Sequence, residues 1–228
     1  SVGGTVVGTL ANAIHHGNDL VVNLNSAATA ANVQTLVRAI TYQNTDTDNP
    51  TAGDRVVRTT INDGDGGTSA NADVTVTVAA VNDVPTIANL GSDSFTFTEG
   101  GAATVIDQST NAALADVDSS NFAGGNLTVT IASGEDSNED VLSLSTSGTV
   151  ALASASANAN VSVGGTVVGT LANAIAAGND LVVNLNSAAT AANVQTLVRA
   201  ITYQNTDTDN PTTGATSRQL PTICCILS

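Results

Sequence analysis

Acidic side chains in loops rich in Gly, Asn and Asp are the residues of this chain that could most readily do chemistry. Carboxylate and amide oxygens are the ligands that calcium prefers, and the ion gathers several of them. Almost no basic residue lies near these acids, so a bound cation would relieve their mutual repulsion. The sequence therefore predicts a calcium site drawn from Asp63, Asp65, Asn82, Asp83, Glu99, Asp116 and Asp118.

The same clusters also have a simpler interpretation as turns. Residues 62–67 read NDGDGG and residues 45–50 read TDTDNP, and both are typical of tight turns. Asp116 and Asp118 flank an apolar valine, which a turn does not explain, so the metal interpretation is favoured there. The acids within residues 135–140 are predicted to form a solvated loop.

Composition excludes several classes of partner. The chain has 228 residues and a net charge of −15, and its five basic residues are all arginine. This charge would repel nucleic acid and anionic membrane surfaces. No apolar stretch approaches the roughly 20 residues needed to cross a bilayer. Neither nucleic-acid binding nor membrane insertion is expected. The chain begins at Ser1 without a signal-peptide pattern, as a mature product or an excised piece would.

An internal repeat decides the predicted organisation. Residues 1–53 recur at 162–214, and only positions 15, 16 and 52 differ between the two copies. The period is 161 residues, long enough for an independent core. We interpret 1–80 as the back half of one repeat and 81–214 as the front and middle of the next. Residues 215–228 are an atypical tail without a strand pattern, although 225–228 also match a prenylation motif without its usual basic flank.

The repeat also argues against catalysis. His15 and His16 are the only histidines, and both are alanine in the other copy. A solvated loop pair is favoured over weak adventitious metal binding. No Ser, His and Asp grouping and no phosphate-binding glycine loop before a helix can be assembled. We expect a protein that is not an enzyme.

Short strands separated by Gly, Asn, Asp and Ser predict a mainly β fold. Apolar and polar residues alternate in several of them, which is typical of antiparallel sheets with one face in water. One helix per repeat is predicted at 29–40 and 190–201, where apolar residues follow helical spacing behind a capping threonine. The predicted strands are 5–10, 20–25, 56–62, 72–81, 94–98, 127–132 and 141–145.

Several motifs in order resemble the tandem cadherin-like repeats of large bacterial surface and secreted adhesins. They are INDGDGGTS at 61–69, AVNDVPT at 80–86, FTEGGAA at 97–103 and LADVDSSNFAGGNLTVTI at 114–131. The resemblance implies antiparallel Ig/cadherin-like β-sandwich modules, each here with one short α-helix. It also implies calcium near the module junctions, an extracellular or cell-surface location and a role in adhesion.

The resemblance gives the acids separate roles. Asn82 and Asp83 look like a junction linker, Asp116 and Asp118 like the Asp-x-Asp of the next module, and Asp63 and Asp65 like contributions from the preceding one. Ala80 and Val84 depart from the family pattern, so one or two ions are expected rather than three.

Two functions follow. The first is a calcium-stiffened spacer or stalk whose partners are neighbouring repeats. The second is a self-assembling fibre subunit, a head-to-tail homo-oligomer in which incomplete modules exchange strands between chains.

Overall fold

The computed structural model describes residues 1–98, 100–208 and the backbone of 223–227. It divides into two units, Ser1–Thr47 and Asp48–Ser228. The fold is mainly β, and every strand pairing is antiparallel within the described residues. The mainly β prediction is therefore confirmed. In that same part of the chain no helix is both long and apolar enough to cross a membrane.

The first unit contains one short hairpin and one helix. Strand β1 (Gly8–Leu10) pairs with β2 (Val22–Leu24), and helix α1 spans Ala30–Arg38. Thr29 caps the helix, because its Oγ1 accepts a hydrogen bond from the backbone N–H of Asn32 at 3.3 Å. The helix predicted at 29–40 is thus confirmed.

The second unit opens with a hairpin of β3 (Gly53–Thr59) and β4 (Ala72–Val78). Arg58 and Asp73 face each other across it and form an exposed ion pair at 2.8 Å. The strand predicted at 56–62 lies three residues earlier in the chain, because residues 62–68 form a separate turn closed by a bridge between Asn62 and Thr68. The strand predicted at 72–81 begins as expected and ends at Val78.

The strands in the rest of the second unit, as far as the structure describes it, are β5 (Thr86–Ala88), β6 (Thr104–Val105), β7 (Ala113–Ala115), β8 (Asn126–Ile131), β9 (Asp140–Leu144), β10 (Val150–Leu152), β11 (Asn160–Val163), β12 (Thr166–Leu171), β13 (Leu181–Leu185), β14 (Ile201–Asn205) and β15 (Ile223–Leu227). Helix α2 (Ala191–Arg199) lies between β13 and β14 in sequence. These described strands form a six-stranded sheet with the order β10-β11-β12-β13-β8-β15, a three-stranded sheet with the order β6-β14-β9, and the pair β5-β7.

An aliphatic core holds these sheets and the helix together. Leu127, Val129 and Ile131 alternate along β8 and are all buried, as the period of two requires. The apolar face of α2 is buried in the same cluster through Val194, Leu197 and Val198. Removing such apolar surface from water is the main favourable term in folding.

Two sequence predictions need correction. Residues 94–98 form no strand, yet Phe95 and Phe97 still share a face: both pack edge-on against Tyr203, with ring centroids 6.4 and 5.4 Å away. Aromatic packing therefore holds this segment without a ladder of backbone hydrogen bonds. The tail, predicted to lack strands, contributes β15, which pairs with β8.

Candidate metal site

One end of the β5–β7 strand pair brings together three predicted site residues, Asp83, Asp116 and Asp118. Thr86 pairs with Ala115, so the chain entering β5 and the chain leaving β7 lie at the same end of this pair of strands. There the backbone N–H of Asp83 donates to Oδ2 of Asp118 at 3.0 Å. This bond joins positions 35 residues apart in sequence.

Asp116 organises the loop that carries Asp118. Its Oδ1 accepts hydrogen bonds from the backbone N–H groups of Ser119 at 2.9 Å and of Asp118 at 3.3 Å. Burial raises the pKa of Asp116, but hydrogen bonding from the backbone and the side chains of Ser119 and Asp118 outweighs it, so the pKa lies below its ordinary value. The Asp116 carboxyl is therefore held as a carboxylate, the form that binds cations.

Oδ1 of Asp118 is the distinctive atom of this cluster. It is buried, and it has no hydrogen-bond partner among the described residues. A buried polar atom without a partner costs about 1–3 kcal/mol, and more when it is charged. A cation at this oxygen would remove that cost.

Asn82 and Asn49 add amide groups near the three acids. Asn82 donates through Nδ2 to the carbonyl of Asp83 at 2.8 Å, next to the residue whose N–H binds Asp118. Asn49 donates through Nδ2 to the carbonyl of Val117 at 3.4 Å. Sequence reasoning gave residues 45–50 a metal role only as a weaker possibility beside a turn. It missed this contact, which spans 68 positions.

Asp63, another predicted ligand, forms hydrogen bonds within a turn. Its Oδ1 accepts from the N–H groups of Asp65 at 2.8 Å and Gly67 at 2.9 Å, and its own N–H donates to the Gly67 carbonyl. These hydrogen bonds from Asp65 and Gly67 hold the pKa of Asp63 below its ordinary value. The side chain thus closes the loop between β3 and β4, and Asp65 takes part through its backbone.

The described residues do not form a complete set of acidic metal ligands. Within residues 1–98 and 100–208, no group of three or more His, Cys, Asp or Glu side chains is arranged to hold a metal ion. The predicted ligand Glu99 lies outside the described residues. Asp83, Asp116 and Asp118 form one hydrogen-bonded cluster, with Asp83 contributing its backbone.

Asp140 is the buried acid that sequence reasoning missed. It is only 1% exposed, although it belongs to the stretch predicted to be solvated. Oδ1 accepts from the Tyr203 hydroxyl at 2.6 Å and from Asn205 Nδ2 at 3.0 Å, while Oδ2 accepts from the Asp136 N–H at 2.8 Å. Alternation was the available signal, because Asp140 shares the period of two with the buried Leu142 and Leu144.

The two histidines lie apart from these acids in sequence, and both are exposed, as predicted for a solvated pair. Comparison of the chain with protein-family models, with curated proteins and with solved structures finds no match. The site must therefore be interpreted from its own geometry.

Proposed function

We propose that this chain is part of a non-enzymatic, extracellular, calcium-binding repeat that serves as a spacer or stalk in an adhesin. Its modules are Ig/cadherin-like β-sandwiches in this proposal. The observation that carries it is the buried, unpartnered Oδ1 of Asp118 beside the ionised Asp116. This arrangement lowers the free energy of unfolding, because a buried oxygen without a partner is unfavourable. A divalent cation bound at Asp118 would remove that cost.

The charge of the chain supports a cation rather than an anion as the ligand. Acidic residues outnumber basic ones 20 to 5. The cluster supplies carboxylate oxygens and nearby backbone carbonyls, which are hard oxygen ligands suited to calcium. Magnesium demands a stricter octahedral geometry and gives up its water reluctantly, so it should bind here more weakly.

The position of the cluster supports a mechanical role. Asp83 precedes the first strand of the β5–β7 pair, and Asn49 reaches Val117 from a segment that precedes the β3–β4 hairpin. An ion at Asp118 would tie together segments that are distant in sequence. Restricting their relative motion is what a stiff spacer requires.

Thermal unfolding with calcium and with a chelator tests this proposal. One site should add about 2.7 kcal/mol to the free energy of unfolding when calcium is at a hundredfold excess over its dissociation constant. Asp118→Asn should abolish the gain. Asp180→Asn, which neutralises an exposed acid outside the cluster, is the matched control and should keep it.

Native mass spectrometry then counts the ions bound to each variant. Identical melting curves with calcium and with chelator for the unmodified chain would refute the proposal. So would an equal calcium response in the Asp118→Asn and Asp180→Asn variants.

A further inference from the structure

The first unit exposes apolar residues that are buried when the same sequence recurs. We call residues 1–47 the N-terminal duplicate and residues 162–208 the resident duplicate; they differ only at positions 15 and 16. Leu10 is 50% exposed and its equivalent Leu171 is fully buried, while Tyr42 is 43% exposed and its equivalent Tyr203 is 2% exposed. Leu20, Leu24, Val37 and Ile40 are likewise exposed, whereas Leu181, Leu185, Val198 and Ile201 are buried.

A defined part of the chain covers the resident duplicate. We call residues 104–161 the front segment. Its strand β8 pairs with β13, and its strands β9 and β6 pair with the two edges of β14. The helix is held by side-chain bonds as well, since Arg199 Nε donates to the Ala112 carbonyl at 2.8 Å and Gln195 Oε1 accepts from the Leu114 N–H at 3.0 Å.

The N-terminal duplicate has every residue that these contacts use. The positions that differ, Ala176 and Ala177, lie in the turn between β12 and β13, where one is exposed and the other half-buried. This turn contacts the front segment through its backbone, since the Ile175 N–H donates to the Ala155 carbonyl at 2.8 Å and the Gly178 N–H donates to the Asp140 carbonyl at 3.0 Å. Outside this turn, residues 1–47 have the same side chains as the resident duplicate at every position. Apart from the two histidines, the N-terminal duplicate therefore carries the side chains with which the resident duplicate binds the front segment.

We propose that residues 1–47 are a binding surface for the front segment of a second copy of this chain. The contacts would be those that the resident duplicate makes with residues 104–161 in its own unit, with Leu36 and Val33 replacing Leu197 and Val194. This inference is independent of the calcium proposal, because it rests on the duplicated sequence and its burial alone.

Stoichiometry determines when such binding is favourable. The 228 residues contain two duplicates and one front segment, so an exchange between two copies of this sequence conserves the number of contacts. Net association requires a front segment whose own duplicate cannot dock. The test therefore uses a full-length recipient in which both duplicates are disabled and the front segment is free.

The recipient carries Val33→Asp, Leu36→Asp, Val194→Asp and Leu197→Asp. The last two place carboxylates at fully buried positions, which removes the resident duplicate from the front segment. The recipient and the unmodified chain are refolded together and examined by size-exclusion chromatography with light scattering. We expect a 1:1 heterodimer. A recipient that stays aggregated or unbound in the presence of the unmodified chain would overturn the proposal.

A disulfide reports the register of the bound surface. Ser143 pairs with Thr202 across β9 and β14, and Thr41 is the equivalent of Thr202 in the N-terminal duplicate. Ser143→Cys in the recipient should therefore form a disulfide with Thr41→Cys in its partner, since paired strand positions lie within disulfide reach. Cys224 and Cys225 are replaced by serine in both chains. Failure of this pair to oxidise would contradict the proposed register.

The control partner carries Val33→Asp and Leu36→Asp and keeps its resident duplicate. We expect its binding to the recipient to be at least about 100-fold weaker, equivalent to about 2.7 kcal/mol. Undiminished binding would mean that residues 162–208 had swapped between chains, and the assignment to residues 1–47 would be wrong. A further variant tests binding within a single chain. It carries Thr41→Cys, Ser143→Cys, Val194→Asp and Leu197→Asp. An intrachain disulfide in this variant would show that residues 1–47 bind the front segment of their own chain, and it would overturn the proposal.

Discussion

The two duplicates separate what a sequence does locally from what it does in contact with a partner. The helix is the same in both: it spans nine residues and follows a capping threonine, whose Oγ1 accepts a 3.3 Å hydrogen bond from a backbone N–H in the first turn. Residues 201–205 form strand β14, but the equivalent residues 40–44 form no strand. Helical hydrogen bonds close within the segment, whereas a strand requires neighbours, here β9 and β6.

The largest expected difference between the duplicates concerns the helix core. Leu197 is fully buried, so Leu197→Ala should cost about 2–5 kcal/mol, combining lost burial with a new cavity. Leu36→Ala removes the same side chain from a half-buried position and should cost less than about 1 kcal/mol. Urea unfolding followed by circular dichroism measures both. Equal losses would mean that Leu36 is already covered in solution.

The tyrosine pair isolates a single buried hydrogen bond. Tyr203→Phe leaves Oδ1 of the buried Asp140 with one donor fewer and should cost about 1–3 kcal/mol, the range for a buried polar group that loses its partner. Tyr42→Phe should change the free energy of unfolding by no more than about 0.5 kcal/mol. Urea melts of the two variants, with the unmodified chain as reference, provide the comparison. A costly Tyr42→Phe would show that Tyr42 is buried.

Substituting the equivalent arginines, Arg199 and Arg38, should give a smaller difference in the free energy of unfolding. Arg199 donates to the Ala112 carbonyl, and Arg199→Met keeps most of the aliphatic stem while removing that donor. We expect a loss of about 1 kcal/mol for Arg199→Met, and no measurable loss for Arg38→Met at the exposed equivalent. Thermal melts of the two variants measure both losses. An equal loss of stability for Arg38→Met would mean that Arg38 makes a contact equivalent to that of Arg199.

Substituting the two helix-capping threonines should give the smallest difference in stability between the duplicates. Thr29 and Thr190 have the same geometry, so each contributes about 0.5–1 kcal/mol to its own helix. Only Thr190→Ala should lower the cooperative melting transition, because only α2 is packed into the core. Thr29→Ala should lower the helical circular dichroism signal before that transition. A lowered transition from Thr29→Ala would mean that α1 unfolds together with the second unit.

Sequence patterns predicted the elements whose signals are local. The helices followed from apolar spacing and a capping threonine, and β8 from strict alternation. The turn interpretation of residues 62–67, which stood beside the calcium interpretation, followed from their Asn, Asp and Gly content, and Asp63 forms hydrogen bonds inside that turn. Each of these features has a signal inside its own segment, although β8 also requires pairing with the distant strands β13 and β15.

Features that depend on distant residues were missed or assigned wrongly. Burial of Asp140 needs Tyr203 and Asn205, more than 60 positions away. Residues 94–98 have a strand pattern, but their phenylalanines pack on Tyr203 and no strand pairs with them within the described residues. Of the predicted site, sequence gave the acid types and the Asp-x-Asp spacing, but the approach of Asp83 to Asp118 comes from the β5–β7 pairing.

The amino-acid sequence alone determined the helices, the tight turns, the acidic character and the duplication, because these depend on neighbouring residues or on composition. Tertiary structure alone decided which of two nearly identical duplicates is buried and which acid has an unpartnered oxygen. The physical reason is that burial and strand pairing depend on a surface supplied from elsewhere in the chain. Leu36 and Leu197 lie in the same local sequence, and only Leu197 is fully buried.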